Sequence, residues 1–367
     1  DNIQERVFIV KLVNDKNDKH RVAGAVGFST REDKVFVYRF KACLLVAGGG
    51  VNIFRPRSVG EGAGGAWYPA WNAGSTYAMA AEAGAELTMM ENRLVPTRFK
   101  DGYGPVDAWF LLFNAKAINA FGEAYMERNK EMLDDYPPYG KAAVPPSCLR
   151  NHLMLKEMRE GRGPIYMDTV TALAKLRETL SPREVKQLEA EVWEDFLDMC
   201  IAQCGIWAGE NIEPEKKNSE LMPAEPCLLG SHAGCCGIWT SGPTDVGAPT
   251  DEAHPEADKI PQHLPKGWNW GYRGMTTIAG LFTAGDGAGA SGHKFSSGSH
   301  AEGRMCAKSM VQFVVEHKDW TPELDAEVDD LVVEIYQPVR NYLEHKDYTT
   351  AIDVNPHYIT PRMLQLR

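Results

Sequence analysis

Alternating apolar and polar positions at the start of the chain predict β-strands. Three apolar runs, at 7–12, 22–28 and 35–40, are separated by the polar turns NDKNDKH and TREDK, a pattern typical of an antiparallel meander. The next run, CLLVA at 43–47, is continuously apolar and ends in the glycines Gly48, Gly49 and Gly50. We expect this run to be a strand that is buried on both faces in a parallel sheet, with its carboxyl end approaching a ligand.

A second strand that runs into glycines lies near the end of the chain, in LFTAGDGAGASG from residue 281. Gly285 and Gly287 permit a sharp turn where a Cβ atom would clash, and Asp286 between them is expected to face a ligand hydroxyl. The following SSGS and the helical spacing of apolar residues predict a helix that begins near Ser299, with its free N–H groups directed at a phosphate or another negatively charged group. An ordinary loop between a strand and a helix is the alternative interpretation.

The stretch 51–87 is rich in glycine and aromatic residues before it becomes helical. Either Asn72 or Ser75 is expected to cap this helix, and Gly84 to end it. Trp67 and Trp71 precede the helix, where an aromatic plane could stack on a cofactor or a nucleobase. Burial in the protein core is the equally simple alternative for each of these side chains.

The middle of the chain changes character, because proline-rich loops alternate with helical patterns at 115–131 and 176–204. We expect an inserted domain here that could close over a cofactor and exclude water. Arg98 lies in a strand-like piece, and its planar fork of donors suits a tetrahedral oxyanion. His232 lies in a glycine-rich loop and can donate to an oxyanion when it is protonated. Most such residues are structural or solvated, so both roles remain hypotheses at this point.

Composition limits the classes of function. The chain has 367 residues, 24% of them charged, and a formal net charge of −11, which argues against nucleic acid or an anionic membrane surface as the main partner. Its apolar runs are shorter than the roughly 18 residues of a membrane helix. Eight irregularly spaced cysteines predict neither a disulfide framework nor a metal site, so we expect a reducing, cytoplasmic location. Because residue 1 is not methionine, we expect a segment of a longer protein.

Three motifs, LLVAGGG, NAGSTYAMAAEAGAEL and LFTAGDGAGASG with the following SSGSHAEGR, occur in the order found in the flavoprotein family of fumarate reductase and succinate dehydrogenase. Within that family, WYPAWNAGSTYAMAAEAGAELTMMENRLVPTRFKDGYGP and GDGAGASGHKFSSGSHAEGR resemble the alpha subunits of dissimilatory adenylylsulfate reductases. The resemblance covers essentially the whole chain. The GxGxxG turn that this family places first is missing, so we expect a central segment.

The resemblance implies an α/β fold in several parts. These are an FAD-binding domain of glutathione-reductase type, with a parallel sheet and an antiparallel β-meander, an inserted α+β capping domain, and the start of a helical C-terminal domain. The expected bounds are 1–91 and 226–312 for the FAD-binding domain, 92–225 for the capping domain and 313–367 for the C-terminal domain.

The resemblance also implies a reaction, in which adenylyl sulfate is reversibly reduced to sulfite and AMP by FAD, through a bond between sulfite sulfur and flavin N5. Arg98 and His232 match the family positions that bind the sulfate and phosphate groups, and Trp67 matches an aromatic residue beside the flavin and substrate. These three are the expected catalytic residues, and we expect Arg98 and His232 to converge on the flavin face. Leu111 or Leu112 is expected to line the substrate channel.

The residues expected to bind FAD are Gly48, Gly49, Trp71, Asn72, Gly285, Asp286, Ser296, Ser297, Gly298 and Ser299. No metal site is expected in this chain. The implied electron source is a ferredoxin-like beta subunit with two [4Fe–4S] clusters. A fumarate- or succinate-type oxidoreductase and a non-catalytic flavin-binding fragment remain as alternatives.

Overall fold

The computed structural model describes residues 3–51, 53, 72–100, 106–137, 147–230, 236–240, 272–289 and 295–345. The chain divides into two compact units. The first comprises Asp1–Ile53, Asn72–Arg93 and Leu228–Arg367, and the second comprises Phe54–Trp71 and Leu94–Cys227.

The strands are β1 (Val7–Asn14), β2 (Val22–Ser29), β3 (Val35–Arg39), β4 (Cys43–Leu45), β5 (Leu87–Thr88), β6 (Thr97–Phe99), β7 (Ala117–Ile118), β8 (Ile165–Met167), β9 (Ser219–Pro223), β10 (Gly237–Ile238) and β11 (Leu281–Thr283). The α-helices are α1 (Ser75–Glu82), α2 (Asp107–Leu111), α3 (Tyr125–Arg128), α4 (Lys130–Asp134), α5 (Ser147–Arg159), α6 (Thr169–Thr179), α7 (Pro182–Gly209), α8 (Phe295–Glu316) and α9 (Val328–His345). A short 3-10 helix spans Gly285–Gly287.

The first three strands form the predicted antiparallel meander, in the order β1-β2-β3. β2 is the central strand and is buried over most of its length. Helix α9 packs against this meander. Its Leu331 lies in one buried apolar cluster with Val13 of β1 and Val26 of β2. The assignment of 313–367 to a separate helical domain stays a prediction.

Strands β4 and β11 pair in parallel, so that Leu45 lies beside Thr283. The expectation that 43–47 is one strand buried on both faces is wrong in its extent. The strand ends at Leu45, and Val46 is 55% exposed because it belongs to the loop that leads to Gly48.

Helix starts differ from the predicted positions. The N-cap of α1 is Gly74, in the left-handed conformation with φ of 84°, and α1 has no side-chain cap hydrogen bond, so capping by Asn72 or Ser75 is wrong. Its predicted end at Gly84 is confirmed by a φ of +92° at that glycine. Helix α8 begins at Phe295, four residues before the predicted start, because serine and glycine are tolerated in a first turn that leaves its N–H groups open to polar partners.

The second unit contains an antiparallel four-stranded sheet in the order β6-β9-β8-β7. The helix predicted at 115–131 is wrong, since β7, α3 and α4 occupy this range. The side chain of Asn119 accepts hydrogen bonds from the backbone N–H groups of Phe121 and Glu123, and Gly122 has a φ of +79°, so the chain turns where the pattern suggested a helix.

The predicted helix at 176–204 is two helices, α6 and α7. The break lies at Ser181, whose side chain forms a capping box with Glu184 immediately before Pro182. Proline fits the first turn of a helix but disfavours a helical residue before it, so this sequence starts a new helix. Helix α7 packs on the sheet through Trp207, which contacts Phe99 edge to face with ring centroids 5.2 Å apart.

Candidate functional site

The parallel pair of strands brings two distant glycine turns to one edge of the sheet in the first unit. β4 leads to Gly48, with φ of +85°, and β11 leads to Gly285, with φ of +67°. The hydroxyl of Thr283 donates to the main-chain oxygen of Leu45 at 2.7 Å and fixes the two strand ends together. The strand pairing thus brings together two turns that are more than 230 residues apart in the sequence, and whether they surround one flavin stays a prediction.

The glycine loop after β4 is held tightly by the segment that begins at Leu228. Gly50 and Leu228 exchange two backbone hydrogen bonds, each 2.8 Å long. A Cβ atom at Gly49 would lie 2.4 Å from the oxygen of Leu228 and 2.6 Å from Cδ2 of Leu229. Since such contacts are too short for real Cβ atoms, glycine is required here by the backbone packing itself.

Asn72 also reaches this loop. Its main-chain oxygen accepts from the N–H of Val51 at 2.8 Å, and its side-chain nitrogen lies 3.0 Å from where a Cβ atom of Gly48 would stand. Asn72 and Gly48, which were both predicted to bind the cofactor, are thus adjacent in the structure.

Tyr77 is a buried residue that the sequence did not single out. Its hydroxyl lies 3.0 Å from the main-chain oxygen of Asp286 and 3.3 Å from that of Leu228. It therefore connects helix α1 to both the Gly285–Gly287 turn and the 228–230 segment. The sequence signal was only its place in the motif NAGSTYAMAA.

The first turns of α8 pack against the Gly285 turn. The backbone N–H of Gly285 donates to the carboxylate of Glu302 at 2.9 Å, and Oγ of Ser299 lies 3.2 Å from the position of a Cβ atom on Gly285. Ser296 and Ser297 are exposed in the first turn, where backbone N–H groups lack partners within the helix. Such a turn suits a phosphate or another anion.

The thiol of Cys43, on β4, is expected to be unreactive. Burial raises the pKa of the Cys43 thiol to about 11, so this group remains protonated at neutral pH. Within the ranges that the structure describes, no group of three histidine, cysteine or acidic side chains is arranged to hold a metal ion.

Arg98 and the two leucines lie in the second unit. Arg98 is in the middle of β6, opposite Met222, and is only 2% exposed. Leu111 ends α2 with 59% of its surface exposed, and Leu112 is the C-cap of that helix. Trp67, Trp71 and His232 lie outside the described residues, so the proposed convergence of Arg98 and His232 stays a prediction.

A second buried arginine in this unit was not predicted. Arg150 on α5 is 6% exposed, and its guanidinium carbon lies 4.6 Å from the ring centre of Phe110. Two guanidinium groups in the interior of one unit are unusual in a chain of net charge −11, because burial of charge is costly. Nothing in the local sequence of α5 distinguishes Arg150 from a surface arginine.

Solved structures identify the class of fold. The structural alignment with a quinol–fumarate reductase with menaquinol covers 91% of this chain and 49% of the reductase chain, with a TM-score of 0.55 and 16% identity. The alignment with Mycobacterium smegmatis Sdh1 in complex with UQ1 covers 98% of this chain and 49% of the Sdh1 chain, with a TM-score of 0.53 and 16% identity. This likeness shows an α/β fold of the fumarate reductase and succinate dehydrogenase flavoproteins. No family model matches the chain.

A more specific likeness comes from the adenylylsulfate reductases. The chain is 56% identical over 370 residues to adenylylsulfate reductase subunit alpha of Megalodesulfovibrio gigas, an alignment that covers 100% of the chain and 54% of the relative. The structures of the Archaeoglobus fulgidus enzyme and of an adenosine-5-phosphosulfate reductase in a covalent adduct with sulfite each give a TM-score of 0.83, with 46% identity, over 100% of this chain and 56% of theirs.

Throughout its length the chain is a homologue of adenylylsulfate reductase alpha subunits, and the resemblance inferred from the sequence is confirmed. The chain spans about half the length of the relatives it matches. In the described part of the chain, no helix has the length and apolar character needed to cross a membrane.

Proposed function

We propose that this chain is part of the alpha subunit of a flavoenzyme that reversibly reduces adenylyl sulfate to sulfite and AMP. The observation that carries this proposal is the 56% identity over the whole chain to an adenylylsulfate reductase, compared with 16% to a fumarate reductase. A dicarboxylate substrate is therefore less well supported than a sulfate ester.

The proposed cofactor is FAD, which supplies a ring that accepts and donates electron pairs when it is bound. The glycine turns in the first unit fit this group, because Gly48 and Gly285 follow the carboxyl ends of two parallel strands, where ligands bind in open α/β sheets. The N-terminal turn of α8, from Ser296 to Ser299, would bind a phosphate or a ring oxygen. Asn72, Asp286 and Trp71 complete the proposed set. The first unit would then be an FAD-binding domain of glutathione-reductase type, and the second a capping domain.

Arg98 is the proposed binding group for the sulfuryl oxygens, together with His232 and Trp67. In the reduction, the bond between sulfur and the bridging oxygen breaks, that oxygen leaves with AMP and the bonding pair, and two electrons from the proposed partner subunit pass to sulfur to give sulfite. Negative charge grows on both products, so a fixed guanidinium stabilises the transition state more than the ground state. Burial at 2% exposure strengthens this interaction, since little water competes with it. Leu111 or Leu112 would line the channel.

The electron donor is proposed to be a ferredoxin-like beta subunit with two [4Fe–4S] clusters, since the relative is named as an alpha subunit. A reducing, cytoplasmic location is proposed with it. Among the described residues, Cys43 and Cys204 are free thiols, which supports this location.

The test uses the full-length protein with its partner subunit under anaerobic conditions. We expect a reduced dye to be oxidised when adenylyl sulfate is added, with one sulfite and one AMP formed for each two electrons. Fumarate is the comparison substrate. Dye oxidation by fumarate, without any by adenylyl sulfate, would assign the chain to the dicarboxylate reductases instead.

A further inference from the structure

A cavity of about 260 Å³ opens at one end of the four-stranded sheet in the second unit. Its walls come from the end of β6, the start of β9 and the last turns of α7, among others. None of the residues proposed above to bind FAD or the sulfate ester lines it. The cavity is therefore a part of the molecule to which the proposed reaction gives no role.

The inner wall is aromatic. Trp207 and Phe99 are 4% and 2% exposed and meet edge to face, and the half-buried ring of Tyr166 lies nearby in the lining. Aromatic walls favour a flat ligand, because ring contacts contribute beyond the area that they bury.

The inner wall also carries two neutral polar side chains. Gln203 is 4% exposed, and Ser219 is 7% exposed. The Oγ atom of Ser219 is buried and has no hydrogen-bond partner among the residues that the structure describes. Because a buried hydroxyl without a partner is unfavourable, a ligand or a water molecule that bonds to it would be stabilised.

Charged side chains of the lining lie at the mouth and not inside. Lys100 donates to Glu220 at 2.9 Å, so these two charges largely compensate each other. Lys217 and Glu210 are exposed. Among the described residues of the lining none carries a buried charge, so an uncharged group fits this cavity best.

The volume of the cavity also limits which ligands can bind. An apolar cavity of about 150 Å³ accepts benzene, so the volume here is enough for two fused rings and too small for a flavin dinucleotide. We propose that this cavity binds an uncharged, flat, bicyclic heteroaromatic ring of the purine type, with the hydroxyl of Ser219 bonding to its nitrogen-bearing edge. This proposal is independent of the proposed redox function.

The experiment measures the binding of labelled adenine, which lacks ribose and phosphate, to the full-length protein by equilibrium dialysis. Ser219→Met fills the cavity and should weaken binding at least tenfold. Ser219→Ala keeps the space and removes one hydrogen bond of about 0.5–1.5 kcal/mol, so it should weaken binding about two- to tenfold. Arg177→Ala, an exposed change outside the cavity, should leave this binding unchanged.

Two further measurements separate ring recognition from other outcomes. Indole has the same shape with fewer hydrogen-bonding atoms and should bind at least tenfold more weakly than adenine. Adenine should also slow amide hydrogen exchange at 203–210 and 219–221. No adenine binding, equal binding of indole, or binding that both Ser219 variants leave unchanged would overturn the proposal. If Ser219→Met does not fold, as judged by its melting temperature, adenine binding by Ser219→Ala and the amide hydrogen exchange of wild type still test the proposal.

Discussion

The hydroxyl of Thr283 and the main-chain oxygen of Leu45 are joined by a hydrogen bond of 2.7 Å across the parallel strand pair. Both residues are buried, with Thr283 1% and Leu45 7% exposed. This bond lies immediately before the two glycine turns, so it sets their separation. Residues far apart in the sequence are thus held at one edge of the sheet by strand pairing and by this side chain.

Thr283→Val keeps the shape of the side chain but removes the donor. We expect the free energy of unfolding to fall by about 1–3 kcal/mol, because a buried carbonyl loses a hydrogen bond. Flavin retention after gel filtration of the full-length protein should fall with it. Thr283→Ser retains the hydroxyl and is the matched control. A valine variant that is as stable and as yellow as the serine variant would show that this bond is dispensable.

Gly49→Ala tests the glycine loop itself. The added Cβ would meet the oxygen of Leu228 at 2.4 Å, so the loop must move and flavin content per chain should drop at least severalfold. Gly205→Ala on α7 is the control, since its Cβ would have no atom within 4 Å. We expect that change to stabilise the protein by roughly 0.5–1 kcal/mol, because alanine is the better helix former. Equal flavin content in both variants would contradict the tight packing at Gly49.

Local pattern was sufficient to predict the meander and the two glycine turns. In each case the periodicity of apolar residues and the position of glycine act within one short segment. The false helix at 115–131 had a helical pattern as well, but the side chain of Asn119 captures two backbone N–H groups there. Competition of this kind depends on one side-chain conformation and leaves little trace in composition.

Long-range pairing could not be predicted in the same way. Arg98 is buried because β6 pairs with β9, more than a hundred positions later in the chain. The role of Tyr77 depends on Asp286 and Leu228, which belong to two other segments. Such contacts follow from the closed fold. The motif that contains Tyr77 does not indicate its partners, and the sequence around Arg150 does not indicate its burial.

Tyr272 makes the free energy of unfolding depend on pH in the alkaline range. Burial, together with the Glu316 carboxylate to which its hydroxyl donates, raises the pKa of Tyr272 to about 12. The ordinary pKa of a tyrosine is about 10. The contribution is therefore fully present below pH 10 and is lost as the pH rises toward 12, since the unfolded chain gives up its proton first.

The measurement is a spectrophotometric titration of tyrosinate in wild type and in Tyr272→Phe. The difference between them should be one phenol that ionises near pH 12, and the melting temperature of wild type should fall more steeply between pH 10 and 12 than that of the variant. Tyr342→Phe, which removes an exposed phenol, controls for the change in absorbance. A difference curve centred at pH 10 would show that Glu316 and burial do not act on this hydroxyl.

Arg98→Ala tests the proposed sulfate site, in the full-length protein with its partner. A charge-assisted hydrogen bond contributes about 1.5–3 kcal/mol, so kcat/KM for adenylyl sulfate should fall about ten- to a hundredfold or more. Arg98→Lys keeps the charge but loses the two-pronged geometry of the guanidinium, and it should restore activity only in part. Arg177→Ala removes an exposed arginine of the same unit, paired with Glu215, and should change kcat/KM less than twofold. Flavin content must be measured in each variant, because loss of FAD would also lower the rate. Activity of Arg98→Ala within about twofold of wild type, with FAD retained, would remove this residue from the mechanism.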